Sequence, residues 1–227
     1  MTDARANHRR TLSLTGERFF AQPWWGLWVG VAMIGAVLIV AVVIPSHPLS
    51  VDSHWSNWMR ESESGFLHHV ALVFNALGHG LGRILSLAAI GAVLLVTRRW
   101  LALIAFGVSE TVTPLAVNAI KLIVDRPRPP HELLHVAASS YPSGHVAYAG
   151  ATAVALVVAF TRPGGRRVLW WLIAALAVAA MAWSRTYLQV HWLSDAVAGG
   201  VLGVGIALAT FAAGQILTPL RRPPSSG

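Results

Sequence analysis

The sequence predicts an all-α, polytopic membrane protein built as a six-transmembrane-helix bundle. Three observations carry this. Hydrophobic residues make up 55% of the 227 residues and charged ones only 11%. Mean hydropathy is +0.59. Apolar runs recur at close to the ~20 residues that a helix needs to cross ~30 Å of hydrocarbon.

Those runs fall at 26–44, 79–96, 101–122, 144–161, 168–184 and 193–217. The first follows Arg5, Arg9, Arg10 and Arg18, as the apolar core of a signal peptide would. At about 19 residues it exceeds a signal core, and no small-residue cleavage site precedes Pro45, so it reads as a retained anchor. Before the second run, 66–78 is apolar but broken by His68, His69 and Asn75; it either extends that span or lies in the interface. No stretch is left for a soluble domain. The chain 1–227 reads as one membrane domain, with a polar tail over 1–22, a six-helix core over 23–217 and a second tail over 218–227. Nor is there a repeat of solenoid type.

Charge orients the predicted bundle. The N-terminal arginines, Arg98, Arg99, Arg162, Arg166, Arg167, Arg221 and Arg222 give one side eleven arginines against Asp3 and Glu17. The other side carries Arg60, Lys121, Arg126, Arg128 and Arg185 against six carboxylates. The positive-inside rule assigns the first side, with both termini, to the cytoplasm of a plasma or inner membrane. Trp24, Trp25, Trp28, Trp100, Trp170 and Trp171 mark the inner ends of spans; Trp55, Trp58, Trp183 and Trp192 mark the outer ones. The net charge of +8 is therefore topological arginine and argues against a nucleic-acid partner. There is no cysteine, which excludes disulfides and thiol chemistry.

Three polar strings interrupt this apolar chain, all on the outer side. Lys121 ends the third span and leads into Asp125-Arg126-Pro127-Arg128-Pro129, where prolines stop the helix and stiffen a guanidinium suited to two oxygens at once. Pro142-Ser143-Gly144-His145 opens the fourth span. Ser143 stands at the N-cap and the Gly144 N–H is unshielded at the positive helix end, which together favour an anion. The third string joins Ser184-Arg185 to His191 and Asp195. The last two are four apart, so they share a helix face on which a carboxylate can orient an imidazole. Taken singly, each string has a plainer reading as a snorkelling cation or a helix cap.

Together the strings resemble the signature of the type 2 phosphatidic acid phosphatase superfamily, the lipid phosphate phosphatases: K-x6-R-P, then P-S-G-H, then S-R-x5-H-x3-D. Every defined position is filled, in order, between 121 and 195. The resemblance implies a metal-independent phosphatase without a cofactor. In it, His191 is the nucleophile that becomes phosphohistidine, and Asp195 holds its tautomer. His145 protonates the leaving oxygen and later activates water. Lys121, Arg128, Ser143, Gly144 and Arg185 hold the phosphate. The substrates implied are membrane lipids: a polyprenyl (di)phosphate, phosphatidic acid or phosphatidylglycerol phosphate. The same residues would serve a phosphotransferase passing the group to an alcohol. An anion-binding or transport protein would need the cations but not His191. A metal site of His145, His191 and Asp195 is disfavoured by the cations beside it.

Two further features are expected to be structural. Glu110, Thr113, Asn118 and Lys121 form a polar stripe on the third span, read as interhelical hydrogen bonding, with a wet cavity as the alternative. Gly199 and Gly203 are read as a close helix contact. His47, His54, His68, His69, His79, His131 and His135 show no spacing that marks a role, although His131 and His135 lie near the second string.

Overall fold

A computed structural model describes residues 18–136, 138–162 and 164–218. The N-terminal arginines before Arg18, together with Arg221 and Arg222, lie outside them. Among the described residues the protein is all helix: α1 (Pro23–Val43), α2 (Ser50–Glu61), α3 (Gly65–Gly78), α4 (Gly80–Val96), α5 (Trp100–Ile123), α6 (Gly144–Phe160), α7 (Arg167–Tyr187) and α8 (Leu193–Leu217).

The predicted spans correspond to α1, α4, α5, α6, α7 and α8. Four of these, α1, α5, α7 and α8, are by themselves long and apolar enough to cross a membrane. A fifth crossing exists if α3 and α4 are taken as one span bent by 60°. The segment 66–78 is thus a helix of its own, set at an angle to the next. Helix α6 is apolar but has only 17 residues, about 26 Å at 1.5 Å per residue. Length alone therefore supports four or five crossings, not the six expected.

α8 is the axis of the bundle, with α1, α5, α6 and α7 packed around it. In lipid there is little hydrophobic force between helices, so close association needs small side chains that let backbones meet. α6 and α8 supply them. A Cβ at Gly203 would lie 1.8 Å from the Ala147 carbonyl oxygen, and one at Gly199 would lie 2.3 Å from that of Ser143. α1 meets α8 in the same way, a Cβ at Gly30 falling 2.5 Å from the Gly205 oxygen. The close contact expected of Gly199 and Gly203 is there, and it seats the start of α6 directly on α8.

At the end of the bundle opposite the polar strings, Gln215 Oε1 accepts the Phe19 and Phe20 N–H groups at 2.9 Å each, and Phe19 packs edge-on to Phe211. At the other end lies α2, which hydropathy does not reveal because its apolar face is only three turns long. It is tied down by polar contacts. Trp55 Nε1 donates to Thr186 Oγ1 at 2.9 Å, and Ser56 Oγ donates to Gln189 Oε1 at 2.5 Å. Gln189 has a φ of 54°, a left-handed turn that ends α7 and directs Val190 and His191 back into the bundle.

Candidate active site

Lys121, Arg128, Gly144, His145, Arg185 and His191 line one cavity of about 650 Å³. They come from the end of α5, the loop after it, the start of α6, the end of α7 and the turn before α8. The cavity also takes in Asn75, His79, Arg83, Asn118, His135 and Tyr148. Among the described residues four cations line it and no carboxylate does. Among the described residues, Lys121, Arg128, Arg185 and Arg83 have no carboxylate within ion-pairing distance.

Backbone oxygens and one amide hold these cations in place. Lys121 Nζ donates to the Ser139 carbonyl. Arg128 is fixed at four points: Nη1 to the Val190 oxygen at 2.5 Å, Nε to that of Ala138 at 3.2 Å, Nη2 to that of Ser139 at 3.3 Å, and Nη1 at 3.5 Å from His191 Nε2. Arg185, 2% exposed, donates from Nη1 to Asn75 Oδ1 at 2.6 Å, and its Nε is buried without a partner. Desolvation makes such unpaired cations costly, so their gathering here favours an anion between them.

His191 is 5% exposed. Its Nδ1 lies 2.7 Å from the Ser140 carbonyl oxygen. A carbonyl only accepts, so Nδ1 carries the hydrogen and Nε2 presents its lone pair, met only by the long 3.5 Å contact from Arg128 Nη1. Burial pulls the imidazole pKa down to about 4, and Arg128 and Lys121 act in the same direction against the opposing charge of Asp195. The ring is therefore neutral through the physiological range.

The hydrogen bond expected from Asp195 is made by Ser140 instead. Asp195 Oδ2 is 3.9 Å from His191 Nδ1 and accepts the Trp192 N–H at 2.9 Å, capping α8. Its other oxygen takes Arg126 Nη1 at 2.5 Å, and Arg126 Nη2 reaches Asp52 on α2 at 2.8 Å. Asp52 in turn accepts from Ser194 N and Oγ, each at 2.8 Å. This fully buried Asp52–Arg126–Asp195 chain ties α2, the proline loop and α8 together behind His191. Its two arginine neighbours in sequence thus divide: Arg126 faces inward between carboxylates, and Arg128 faces the cavity. Sequence reasoning missed Arg126 and Asp52.

Ser143 occupies the N-cap position of α6, but its hydroxyl makes no capping bond and is buried without a partner. It lies behind the cavity, while Gly144 lines it. His145 Nε2 is likewise buried and unpaired. The His145 ring rests on the break between α3 and α4. A Cβ at Gly78 would fall 2.4 Å from His145 Cδ2, and the His79 ring is near parallel to it with centroids 6.1 Å apart. His79 and Arg83 are therefore site residues that the sequence reading passed over. A lone arginine four residues into an apolar span was the signal for the second.

The polar stripe on α5 divides. Glu110 Oε1 accepts from Thr152 Oγ1 of α6 at 2.8 Å and Thr113 Oγ1 donates to the Ser109 oxygen, whereas Asn118 and Lys121 open onto the cavity. His135 is at the rim, paired with Glu132 at 2.8 Å.

The chain is similar to several known proteins. A lipid A 1-phosphatase of Porphyromonas gingivalis is 38% identical over 89 residues, 39% of this chain and 18% of that relative. An undecaprenyl-diphosphatase of Sulfolobus acidocaldarius is 36% identical over 69 residues, 30% of each. The chain thus spans less than a third of the length of either curated relative. Among solved structures, a transmembrane PAP2-type phosphatidylglycerolphosphate phosphatase of Bacillus subtilis superposes with a TM-score of 0.64 at 24% identity, over 81% of this chain and 94% of that one. The LpxE of Aquifex aeolicus gives 0.61 at 18% identity, over 71% and 95%. These two share the fold. The PAP2 superfamily model matches residues 102–218, more than half of the chain and all three polar strings, and the protein belongs to that superfamily.

Proposed function

We propose that this protein is a membrane phosphatase acting on lipid phosphates or polyprenyl (di)phosphates through a phosphohistidine. One observation carries the reading: a neutral His191 whose unprotonated Nε2 faces a cavity lined, among the described residues, by four cations and no carboxylate. In the first step Nε2 attacks phosphorus, the phosphorus–oxygen bond to the lipid breaks, and His145 gives that oxygen a proton. In the second, His145 takes a proton from water, which attacks phosphorus and frees His191 and inorganic phosphate. Lys121, Arg128, Arg185 and the Gly144 N–H neutralise the non-bridging oxygens, which is positioning and electrostatic stabilisation in a dry site. Asp195 lies close enough to favour the imidazolium that forms. No step calls on a metal.

The names of the relatives support a lipid-linked phosphate as substrate. On this reading α3–α4 and α6 complete six crossings, both termini are cytoplasmic, and the cavity opens to the outer face.

The test is phosphate release from phosphatidic acid, phosphatidylglycerol phosphate and farnesyl diphosphate by the purified protein in detergent, with and without chelator. Release should survive chelator, and rapid quenching should trap an acid-labile phosphoprotein that His191→Ala never forms. Activity lost to chelator and restored by a divalent ion would overturn the mechanism. For orientation, a cysteine at His131 should react with an impermeant maleimide in intact cells, and one at Gly165 only after lysis. The reverse pattern would place the chemistry in the cytoplasm.

A further inference from the structure

We propose that Arg83, with His79 and Tyr148, forms a second anion subsite on the leaving-group side of the cavity, and that the substrate it fits is a diphosphate ester. This rests on the phosphatase reading above and narrows its substrate class.

Lys121 and Arg128 stand beside His191 and Arg185 lines the same cavity, enough positive charge for the nearly two negative charges of one transferred phosphoryl group. Arg83 is a fourth cation in the same cavity, carried by α4 against the α6 helix that bears His145. Its guanidinium lies 3.5 Å over the ring of Tyr148, which follows His145 by one turn on the same face of α6. On α4, Arg83 stands one turn beyond His79, whose ring faces that of His145. The stacking fixes the plane of the guanidinium. Its Nε is buried with no hydrogen-bond partner. Glu110 on α5 acts on Arg83 through its charge but gives its hydrogen bond to Thr152, so it does not form an ion pair with the guanidinium.

In-line attack by His191 sends the leaving group away from His191, to the side of the proton donor His145. A phosphatidic acid would deliver a neutral diacylglycerol hydroxyl there, and a partly buried cation would have nothing to bind. A diphosphate ester delivers a phosphate monoester. The Nε2–phosphorus bond forms, the bond from phosphorus to the bridging oxygen breaks, and the electron pair stays on that oxygen. The leaving monoester's growing charge then falls opposite Arg83, while His145 supplies a proton to the same oxygen. Water later releases orthophosphate from His191, so the products are one lipid monophosphate and one orthophosphate.

Farnesyl diphosphate and farnesyl monophosphate share a tail and differ only in the second phosphate. Arg83→Gln should reduce kcat/KM on the diphosphate about 10–100-fold more than on the monophosphate, the worth of a charged hydrogen bond. Arg83→Lys should recover part of the difference. Independently of any variant, inorganic pyrophosphate should inhibit the wild-type protein more tightly than orthophosphate, and Arg83→Gln should erase that preference. Equal losses on both farnesyl substrates, or a wild-type protein indifferent between pyrophosphate and orthophosphate, would overturn the subsite. Inertness of the wild type toward both farnesyl substrates, or full activity of His191→Ala, would instead overturn the phosphatase reading itself.

Discussion

His191 Nδ1 is hydrogen-bonded to the backbone carbonyl of Ser140 at 2.7 Å, while Asp195 Oδ2 stands 3.9 Å from the same nitrogen. The reactive tautomer is therefore set by main chain, and the carboxylate acts through its charge and through Arg126. In a serine-protease triad, replacing the aspartate that holds the histidine tautomer costs about 10⁴ in kcat. Asp195→Asn should cost markedly less here, about 10–100-fold, because Ser140 still holds the ring. Steady-state kinetics on one lipid phosphate decides it, and a loss near 10⁴ would return the tautomer to Asp195.

The pH dependence follows from the burial of His191. Its pKa lies at about 4, below the ordinary histidine value, so lowering the pH from 7 to 5 leaves the nucleophile neutral. Removing a neighbouring positive charge makes protonation easier and raises the pKa, so Lys121→Met should move the titration to higher pH. Ring-proton NMR in detergent, with the resonance assigned through His191→Gln, should give a wild-type midpoint near 4 that rises in Lys121→Met. A wild-type midpoint at 6.5 or above would contradict the buried, cation-flanked ring.

Gly78 is the seat of His145. With a Cβ placed 2.4 Å from His145 Cδ2, Gly78→Ala must push the imidazole or the α3–α4 break aside. The atoms it meets belong to a side chain that can turn and not to backbone, so thermal unfolding should change little. Hydrolysis of an alkyl phosphate, which needs the proton, should fall by about 10²-fold or more, within the range for a displaced general acid. p-Nitrophenyl phosphate, whose leaving group departs without help, should suffer distinctly less. Equal losses on the two substrates would mean that the substitution acts on something other than His145.

Gly203 tests the helix contact beneath the site. Its Cβ would penetrate the Ala147 carbonyl, backbone that cannot swing away, so Gly203→Ala must part α6 from α8. A destabilisation of about 1–3 kcal/mol is expected from overpacking of this kind. It should appear as a lower unfolding temperature in detergent, together with reduced activity, since the same contact seats Ser143 and His145. Unchanged stability would show that the two helices are less closely packed than described.

The helices were legible because each predicted span is an apolar run bounded by arginine, tryptophan or proline, although only four or five of them are long enough to count as crossings. Lys121, Arg128, His145, Arg185 and His191 were legible for the converse reason, as polar groups where none is cheap. What escaped depends on partners far along the chain or on atoms without a side-chain identity. Asp52 meets Arg126 across 74 residues, and α2 is too short and polar to stand out in hydropathy. The Ser140 carbonyl that orients His191 belongs to a backbone any residue could supply. Asp195 was read correctly as a helix-start carboxylate but given a bond that the geometry assigns elsewhere. His79 was passed over because its neighbour His145 lies on another helix, reached only once the chain bends at Gly78.

The shortness of α6 reaches beyond the protein into the bilayer. Its 17 residues cover about 26 Å, less than the ~30 Å of an average hydrocarbon core, and His145 is the second of them. If α6 crosses, the proton donor sits below the plane in which lipid head groups normally rest. A phosphate must then sink toward it, or the surrounding leaflet must thin to bring the two level, at a cost of fractions of a kcal/mol per Å. The lipid around the protein thereby becomes part of the reaction coordinate. Turnover in vesicles should rise as acyl chains shorten from about 18 to 14 carbons, even when the substrate's own tail is held constant.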